Sequence, residues 1–259
     1  MGRQLKMLDS LAELNPLEEA FAGNLLLKTL SPEIRELLSA VGERVELPVG
    51  EHVQTRGQDV EWSYFPFGST MISLVVQLSD GRSIEVASIG REGAVGGIIS
   101  CGHAPAFGDA RVQVSGSAMR VPMEAIERAK RQSGFISNIF CRYSDYLLAQ
   151  VQQSAACNAL HPINQRAARW LLTAQDRAGD RIELTQEALA GLLGVQRTTL
   201  NAVVRTLQDE GLITIKRGRI IVLDRRGLER NACECYAAVE KHFTAVIGES
   251  GSGNSGECD

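Results

Sequence analysis

The chain has 259 residues with 27 basic and 31 acidic side chains, so its formal net charge is −4. This length allows one large domain or two of ordinary size, and the 44% hydrophobic content excludes a disordered chain, a collagen-like repeat and a basic nucleic-acid coat protein. No run of about 18 apolar residues is present, so no membrane partner is expected. The first residues carry no secretory signal, which predicts a cytoplasmic protein whose six cysteines are mostly reduced.

The first half of the chain is rich in turn signals. Residues 17–40 are typical of one or two short helices, the second capped by Ser31 with Pro32 at its first position. From residue 44 to 121, short β-branched runs alternate with turns, and Asp80-Gly81 marks a hairpin. Residues 83–88 and 111–114 alternate with period two. These patterns predict a compact antiparallel β-sandwich or roll.

Residues 135–161 contain neither glycine nor proline and predict one helix of about 40 Å. Its apolar residues recur at spacings of three and four: Ile136, Ile139, Phe140, Tyr143, Leu147 and Val151. One interpretation is an ordinary amphipathic helix packed on the roll. A helix of this length extends beyond a roll of about 100 residues, however, and this favours helix-to-helix dimerisation as well.

Residues 185–223 carry a helix-turn-helix pattern followed by a hairpin. Thr185 caps the first helix, and Gly194 ends it in a left-handed conformation. Ala190 provides the small residue that two crossing helices need at their contact. After Gly211, two apolar strands flank the basic turn at residues 216–219, which suits a wing placed on a phosphate backbone.

The second helix of this pattern presents Arg197, Asn201, Arg205 and Gln208 near one line. Guanidinium and amide groups suit the reading of guanine and adenine edges in a major groove, although a merely solvated helix face is the alternative. Residues 181–230 hold nine basic and six acidic residues, a net +3, so the remainder carries −7. The predicted DNA-binding residues are Thr185, Gln196, Arg197, Thr198, Thr199, Asn201, Arg205, Lys216, Arg217 and Arg219.

The order of β-roll, long helix and winged helix-turn-helix resembles the cyclic-AMP receptor protein/FNR family of bacterial transcription regulators. The resemblance covers roughly residues 24–223 and is most specific in LTQEALAGLLGVQRTTLNAVVRTLQDEGLI. It implies a homodimer that binds a two-fold symmetric site on double-stranded DNA and contacts RNA polymerase. The expected fold class is α+β, with domains at residues 20–134 (cyclic-nucleotide-binding-like β-roll), 135–161 (dimerisation helix) and 162–247 (winged helix), and a disordered tail at 248–259.

The resemblance also implies an effector pocket in the roll, and here the sequence departs from the family. Gly96 is followed by Gly97 where cyclic-AMP-binding members carry glutamate, and Asp109 stands where a phosphate-binding pair is expected. Arg91 and Arg111 lie nearby and could compensate. These five residues form the predicted pocket, whose ligand is unknown and differs from the usual cyclic AMP, since a carboxylate opposes a buried phosphate. In the second helix, Thr198 and Ala202 replace the Glu and second Arg that the family commonly uses for base reading, so the operator should differ as well.

The cysteines offer two interpretations. The first cysteine of the sequence is Cys101, so the sequence does not support the iron–sulfur cysteine cluster that FNR-like oxygen sensors carry before the roll. Cys233 and Cys235 could bind a metal or form a redox couple, but on a continuous helix they would point about 200° apart, which favours packed or exposed thiols. Cys157 is expected to be buried, with oxidation sensing as the alternative.

The other chemistry-bearing residues form no recognisable site. The four histidines (His52, His103, His161 and His242) show no ligand spacing. The sequence therefore predicts no metal site, no certain cofactor, no catalytic residues and no enzyme. The rival to a DNA-binding regulator is a small-ligand-binding module whose helix-turn-helix contacts proteins. The basic wing distinguishes the two, because protein docking would not require it.

Overall fold

The computed structural model describes residues 17–97 and 105–248. The described chain begins with three short helices: α1 (Glu18–Gly23), α2 (Leu25–Lys28) and α3 (Pro32–Ser39). They confirm the helical prediction for residues 17–40, although there are three helices where one or two were expected. Pro32 is the first residue of its helix, as expected, whereas the Ser31 side chain at the N-cap makes no capping hydrogen bond. Asn24 caps α2 with its side-chain oxygen, and its amide donates to the carbonyls of Pro66 and Gly93 at 2.8 Å, which fixes the helices on the roll.

Seven strands follow: β1 (Glu43–Leu47), β2 (His52–Gln54), β3 (Trp62–Phe67), β4 (Met71–Gln77), β5 (Ser83–Ile89), β6 (Asp109–Val114) and β7 (Gly116–Pro122). They form two antiparallel sheets, ordered β1-β7-β3 and β2-β6-β4-β5. The Asp80-Gly81 turn joins β4 to β5, with Gly81 at φ 85°. The predicted antiparallel β-roll is confirmed.

Two helices leave the roll, α4 (Met123–Gln132) and α5 (Gly134–Leu160). Helix α5 is the long helix predicted at residues 135–161, and its apolar stripe is covered by its own chain. Ile136, Ile139 and Phe140 pack into the core formed with α1–α3, and Leu147 packs between the sheets. The interpretation of the stripe as roll packing therefore accounts for these residues.

The remaining elements form the C-terminal part: α6 (Ile163–Ala178), β8 (Arg181–Ile182), α7 (Gln186–Leu192), α8 (Arg197–Asp209), β9 (Ile213–Lys216), β10 (Arg219–Val222), α9 (Arg225–Asn231) and α10 (Cys235–Val246). The three strands form a sheet of order β8-β10-β9. In residues 17–97 and 105–248, no helix is both long and apolar enough to cross a membrane.

Helix α10 packs mainly against the long helix α5 and only in part against the winged-helix core. It packs back along α5, where Phe243 meets Tyr146 edge-on at 4.9 Å and His242 pairs with Asp145 at 2.9 Å. Ile247 joins the core of the roll-side helices. Within the predicted domain at residues 162–247, this last helix therefore links the C-terminal part to the long helix. All but the first residue of the predicted disordered tail, 248–259, lies outside the described residues.

A buried ion pair joins the roll to the C-terminal part. The Arg177 side chain on α6 donates to Glu92 Oε1 through Nε at 2.9 Å and through Nη2 at 2.6 Å. Gly90 N–H donates to the same oxygen at 3.1 Å, and Arg177 also reaches the carbonyl oxygens of Thr173 and Ser88. Arg177 is 7% and Glu92 9% exposed, so both charges depend on each other for solvation.

A second polar contact across the same interface involves Glu85 of β5. Its carboxyl group accepts a hydrogen bond from Trp170 Nε1 at 2.9 Å and contacts the Ser73 hydroxyl. Burial raises the pKa of Glu85 from 4.5 to about 7, although the bonds from Ser73 and Trp170 act in the opposite direction. The Glu85 carboxyl is therefore protonated over part of the range around neutral pH.

Removing one partner of the ion pair should be costly. We expect Arg177→Ala to lower the free energy of unfolding by about 3–5 kcal/mol, because the Glu92 charge is left buried without its partner. Urea titration followed by circular dichroism measures the change. The matched control is Arg82→Ala, whose exposed pair with Asp80 should contribute less than about 0.5 kcal/mol. Equal effects of the two substitutions would contradict the structural role of the pair.

The interface should also depend on pH through Glu85. Because the folded-state pKa exceeds 4.5, the contribution of Glu85 to stability is complete below pH 4.5 and is lost as the pH rises through about 7. Glu85→Gln mimics the protonated carboxyl, so we expect it to flatten the fall in melting temperature over this range and to stabilise the protein above pH 7. Thermal melts of both proteins from pH 5 to about 8.5 test this, and parallel profiles would contradict it.

Candidate DNA-binding surface

The helix-turn-helix begins at α7, which Thr185 caps by accepting a hydrogen bond from Ala188 N–H at 3.1 Å. Leu189 and Ala190 are buried on its inner face. The turn closes with the Val195 N–H donating to the Ala190 carbonyl at 3.0 Å, while Gly194 adopts φ 65°. Glycine is required here for a second reason as well. A Cβ at Gly194 would lie 3.1 Å from Ile84 of the roll, so the turn is packed against β5.

Helix α8 follows the turn with one buried and one exposed face. Leu200, Val203, Val204 and Leu207 are buried against the rest of the winged-helix core. Gln196 occupies the N-cap without a side-chain hydrogen bond, as expected of a poor cap. Every predicted DNA-binding residue is exposed, and so is Gln208: Thr185, Gln196, Arg197, Thr198, Thr199, Asn201, Arg205, Lys216, Arg217 and Arg219.

The wing is a two-residue hairpin between β9 and β10. Lys216 pairs with Arg219, and the two central residues both have positive φ, 35° at Arg217 and 78° at Gly218. This is the geometry of a type I′ turn, whose twist matches that of the strands. The wing residues, together with Arg181 and Ile221, surround an open hollow of about 410 Å³.

Arg181 is the one cation of this hollow that the sequence analysis missed. It lies on β8, whose pairing with β10 places Arg181 opposite Ile221. Because β8 has only two residues and Arg181 precedes Lys216 by 35 positions, only the sheet pairing brings Arg181 to the basic turn. Four cations at one hollow form a site for an anion, and a phosphate backbone has the matching charge.

Several of these arginines pair with exposed carboxylates. Arg197 Nη1 lies 3.8 Å from Glu187, Arg205 Nε lies 4.0 Å from Asp209, and Arg219 Nε lies 3.2 Å from Glu183. The side chains in all three pairs are at least half exposed, so each pair contributes little to stability. The guanidinium groups can therefore exchange these carboxylates for phosphates or base edges at small cost.

The five predicted effector-pocket residues are all described, whereas residues 98–104, between Gly97 and Asp109 in the sequence, lie outside the described chain. Arg91 and Arg111 are exposed, and the Asp109 carboxylate accepts a hydrogen bond from the Arg56 N–H at 2.8 Å. Gly96 and Gly97 have φ of 93° and 60°.

The Gly96-Gly97 pair has no space for larger side chains. A Cβ at Gly96 would lie 2.2 Å from the Trp62 carbonyl oxygen, and one at Gly97 would lie 2.1 Å from the Met123 sulfur. None of the five predicted pocket residues lines the open groove of about 500 Å³ that follows residues 52–62 of the roll. The two glycines therefore serve close packing against β3 and α4.

Comparison with known proteins agrees with this architecture. Residues 165–231, which span α6 to α9, match the family model of the Crp-like helix-turn-helix domain. The fold is shared with a transcriptional regulator of the Crp/Fnr family from Eubacterium rectale, with a TM-score of 0.62 and 19% identity over 79% of this chain and 96% of that one. Residues 165–231 therefore form a Crp-like helix-turn-helix domain.

Two further proteins resemble this chain along most of its length. FixK2 from Bradyrhizobium japonicum matches in structure with a TM-score of 0.64 and 16% identity, over 74% of this chain and 98% of FixK2. The anaerobic regulatory protein of Bacillus subtilis is 21% identical over 215 residues, which are 80% of this chain and 90% of that protein. The matches to both proteins extend beyond the helix-turn-helix into the β-roll and the long helix.

The basic hollow of the wing leads to a salt-dependence prediction. Each phosphate contact that is removed lowers the slope of log affinity against log salt concentration by about 0.9, so Arg181→Ala should reduce the slope by about one. Fluorescence anisotropy with a DNA duplex at several salt concentrations measures the slope. Arg131→Ala, an exposed arginine of α4, is the matched control and should leave the slope unchanged. An unchanged slope for Arg181→Ala would show that Arg181 does not contact a DNA phosphate.

Proposed function

We propose that this protein is a homodimeric, sequence-specific DNA-binding transcription regulator controlled through its N-terminal roll. The observation that carries the proposal is the joint exposure of the polar line on α8 and of the basic wing. In this arrangement α8 enters the major groove and the wing contacts the adjacent phosphates. Protein docking alone would not require four cations around one hollow, so the rival ligand-binding module is disfavoured.

The residue types on α8 suit direct base reading. Arg197 can donate two hydrogen bonds to guanine O6 and N7, and Asn201 can pair with the N6 and N7 edge of adenine. Thr198 and Thr199, in the first turn of the helix, suit phosphate or methyl contacts. Since the usual Glu and second Arg of the family are Thr198 and Ala202 here, the preferred operator should differ from the familiar one.

Dimerisation is assigned to the exposed face of α5. Cys141, Leu148 and Ala155 recur there at seven-residue spacing, and Leu148 is 53% exposed. Two copies joined along this seam would place two α8 helices for a two-fold symmetric operator, and DNA-bound dimers would contact RNA polymerase.

Control by an effector would act through the interface between the roll and the winged helix. The effector region is assigned to Arg91, Gly96, Gly97, Asp109 and Arg111, and its ligand is proposed to differ from cyclic AMP. Two features support this: a glutamate at Gly97 would have to displace the Met123 side chain and adopt a φ of 60°, and Asp109 adds a negative charge. Ile84 at Gly194 and the Glu92–Arg177 pair couple the roll directly to the helix-turn-helix domain.

The decisive experiment is selection of genomic fragments by the purified protein, followed by sequencing of the bound fraction. We expect a two-fold symmetric motif that is enriched equally with and without cyclic AMP. Binding without sequence preference would overturn the proposed function, and strong cyclic-AMP dependence would overturn the effector assignment alone.

Base reading by Arg197 can be tested on the selected operator. Arg197→Ala should weaken binding by about 1–3 kcal/mol and relax the preference at one base pair of each half-site. Competition binding against a library of single-base operator variants measures both effects. The control Arg131→Ala should change neither. If Arg197→Ala weakens all variants uniformly, Arg197 contacts phosphate and does not read a base.

The dimer seam can be tested with an introduced charge. Leu148→Glu should raise the dimer dissociation constant at least tenfold, because the side chain would bury a charge against its symmetry mate. Sedimentation equilibrium measures the dissociation constant. Leu78→Glu is the matched control, since Leu78 is 50% exposed but lies on the roll. If Leu148→Glu changes the dimer dissociation constant no more than Leu78→Glu does, the dimer forms through another surface.

A further inference from the structure

Three cysteines and one histidine converge where the long helix ends. The Cys157 and Cys233 sulfurs lie 3.5 Å apart, and Cys235 Sγ lies 3.4 Å from His161 Nδ1. All four side chains place one ligand atom within 4.8 Å of every other. The three cysteines are at most 5% exposed, whereas the His161 side chain is 18% exposed, so the cluster is buried on the side of the sulfurs.

The sequence pattern predicts Cys233 and Cys235 on one continuous helix, and this arrangement would not form the cluster. Helix α9 ends at Asn231, and Cys233 lies in the short link before α10, which begins at Cys235. The directions of the two side chains are therefore not set by the 100° rotation per residue of a helix, and both sulfurs face Cys157 and His161. Their partners come from the last turn of α5 and from His161, its C-cap.

Two of the six distances between these ligand atoms match the edges of a single tetrahedral site, and none of the six exceeds 4.8 Å. Zinc–sulfur bonds of about 2.3 Å and zinc–nitrogen bonds of about 2.0–2.1 Å give tetrahedral edges of about 3.8 Å between sulfurs and about 3.5 Å between sulfur and nitrogen. The observed 3.5 Å and 3.4 Å edges are close to these values. An iron–sulfur cluster would hold opposite ligands farther apart, because several metal and sulfide atoms separate them.

The surroundings contain the groups that orient and balance such a site. Glu234 Oε1 lies 3.3 Å from His161 Nε2, which leaves Nδ1 for the metal, and the Gln153 amide donates to Cys235 Sγ at 3.0 Å. Zinc with three thiolates and a neutral histidine carries one negative charge. The half-buried guanidinium of Arg166 interacts electrostatically with Cys157 and Cys233 and offsets this charge.

We propose that Cys157, His161, Cys233 and Cys235 bind one zinc ion. The ion would tie the end of α5 to the link between α9 and α10, across the junction at which the winged-helix part begins. Its role is structural, because four protein ligands fill the tetrahedron and leave no open position for a substrate. It would hold the DNA-binding part at a set orientation to the long helix.

The test uses untagged full-length protein purified under reducing conditions. We expect about one zinc per chain by mass spectrometry of the metal content, and its release when a mercurial reagent titrates the thiols. After chelation, added Co²⁺ should give the visible bands of tetrahedral cobalt and a thiolate-to-metal charge-transfer band. The wild-type cobalt spectrum tests the site even if the cysteine variants fail to fold.

Variants locate the ligands. Cys157→Ser and Cys235→Ser should lose zinc and the cobalt bands, whereas Cys141→Ser should keep both, since Cys141 is exposed on the same helix as Cys157. Glu234→Gln alters an exposed carboxylate and should weaken zinc binding by about 10–100-fold. An unchanged affinity would overturn the positioning role of Glu234.

Three results would overturn the zinc site. One is folded, reduced wild-type protein that contains no zinc and gives no tetrahedral cobalt spectrum. Another is a Cys157–Cys233 disulfide found by peptide mapping in protein that takes up no metal, since the 3.5 Å separation would then report an oxidisable pair. The third is stoichiometric iron in place of zinc.

Discussion

The buried contact between Glu92 and Arg177 determines how the two parts of the molecule fit together. A charged pair of this kind contributes little net stability compared with apolar packing, but the loss of either partner is expensive. The interface is therefore selective, because any arrangement that separates the roll from α6 exposes or isolates two charges. Met71 and Val114 of the roll complete the core of the winged helix beside it, so apolar packing and the ion pair favour the same arrangement.

The long helix α5 serves several surfaces at once. One side closes the core of the roll, another is covered by α10 through Phe243 and His242, and a third remains exposed at the proposed dimer seam. Helix α5 therefore contacts the roll and α10 and carries the proposed dimer seam. The cysteine and histidine cluster at its C-terminal end lies at the point where the DNA-binding part departs from it.

The distribution of charge also differs between the helix-turn-helix region and the rest of the chain. The net charge of −4 divides into +3 in residues 181–230 and −7 elsewhere. Sheet pairing concentrates the positive part further, because it brings Arg181 beside the wing. Long-range attraction of DNA would therefore be directed at one surface, while the rest of the molecule repels nucleic acid.

The sequence by itself determined the features that depend on local contacts: the Thr185 cap, the left-handed Gly194, the faces of α7 and α8, the Asp80-Gly81 hairpin and the length of α5. These follow from capping, glycine conformation and periodicity within one or two turns of chain. The tertiary structure alone decided which stripe of α5 is buried, that α10 returns to α5, and that Arg181 joins the wing. It also brought Cys157 and Cys233, 76 residues apart, to within 3.5 Å. Contacts of this separation leave no period or spacing in the sequence, because the packing of whole helices places their side chains together.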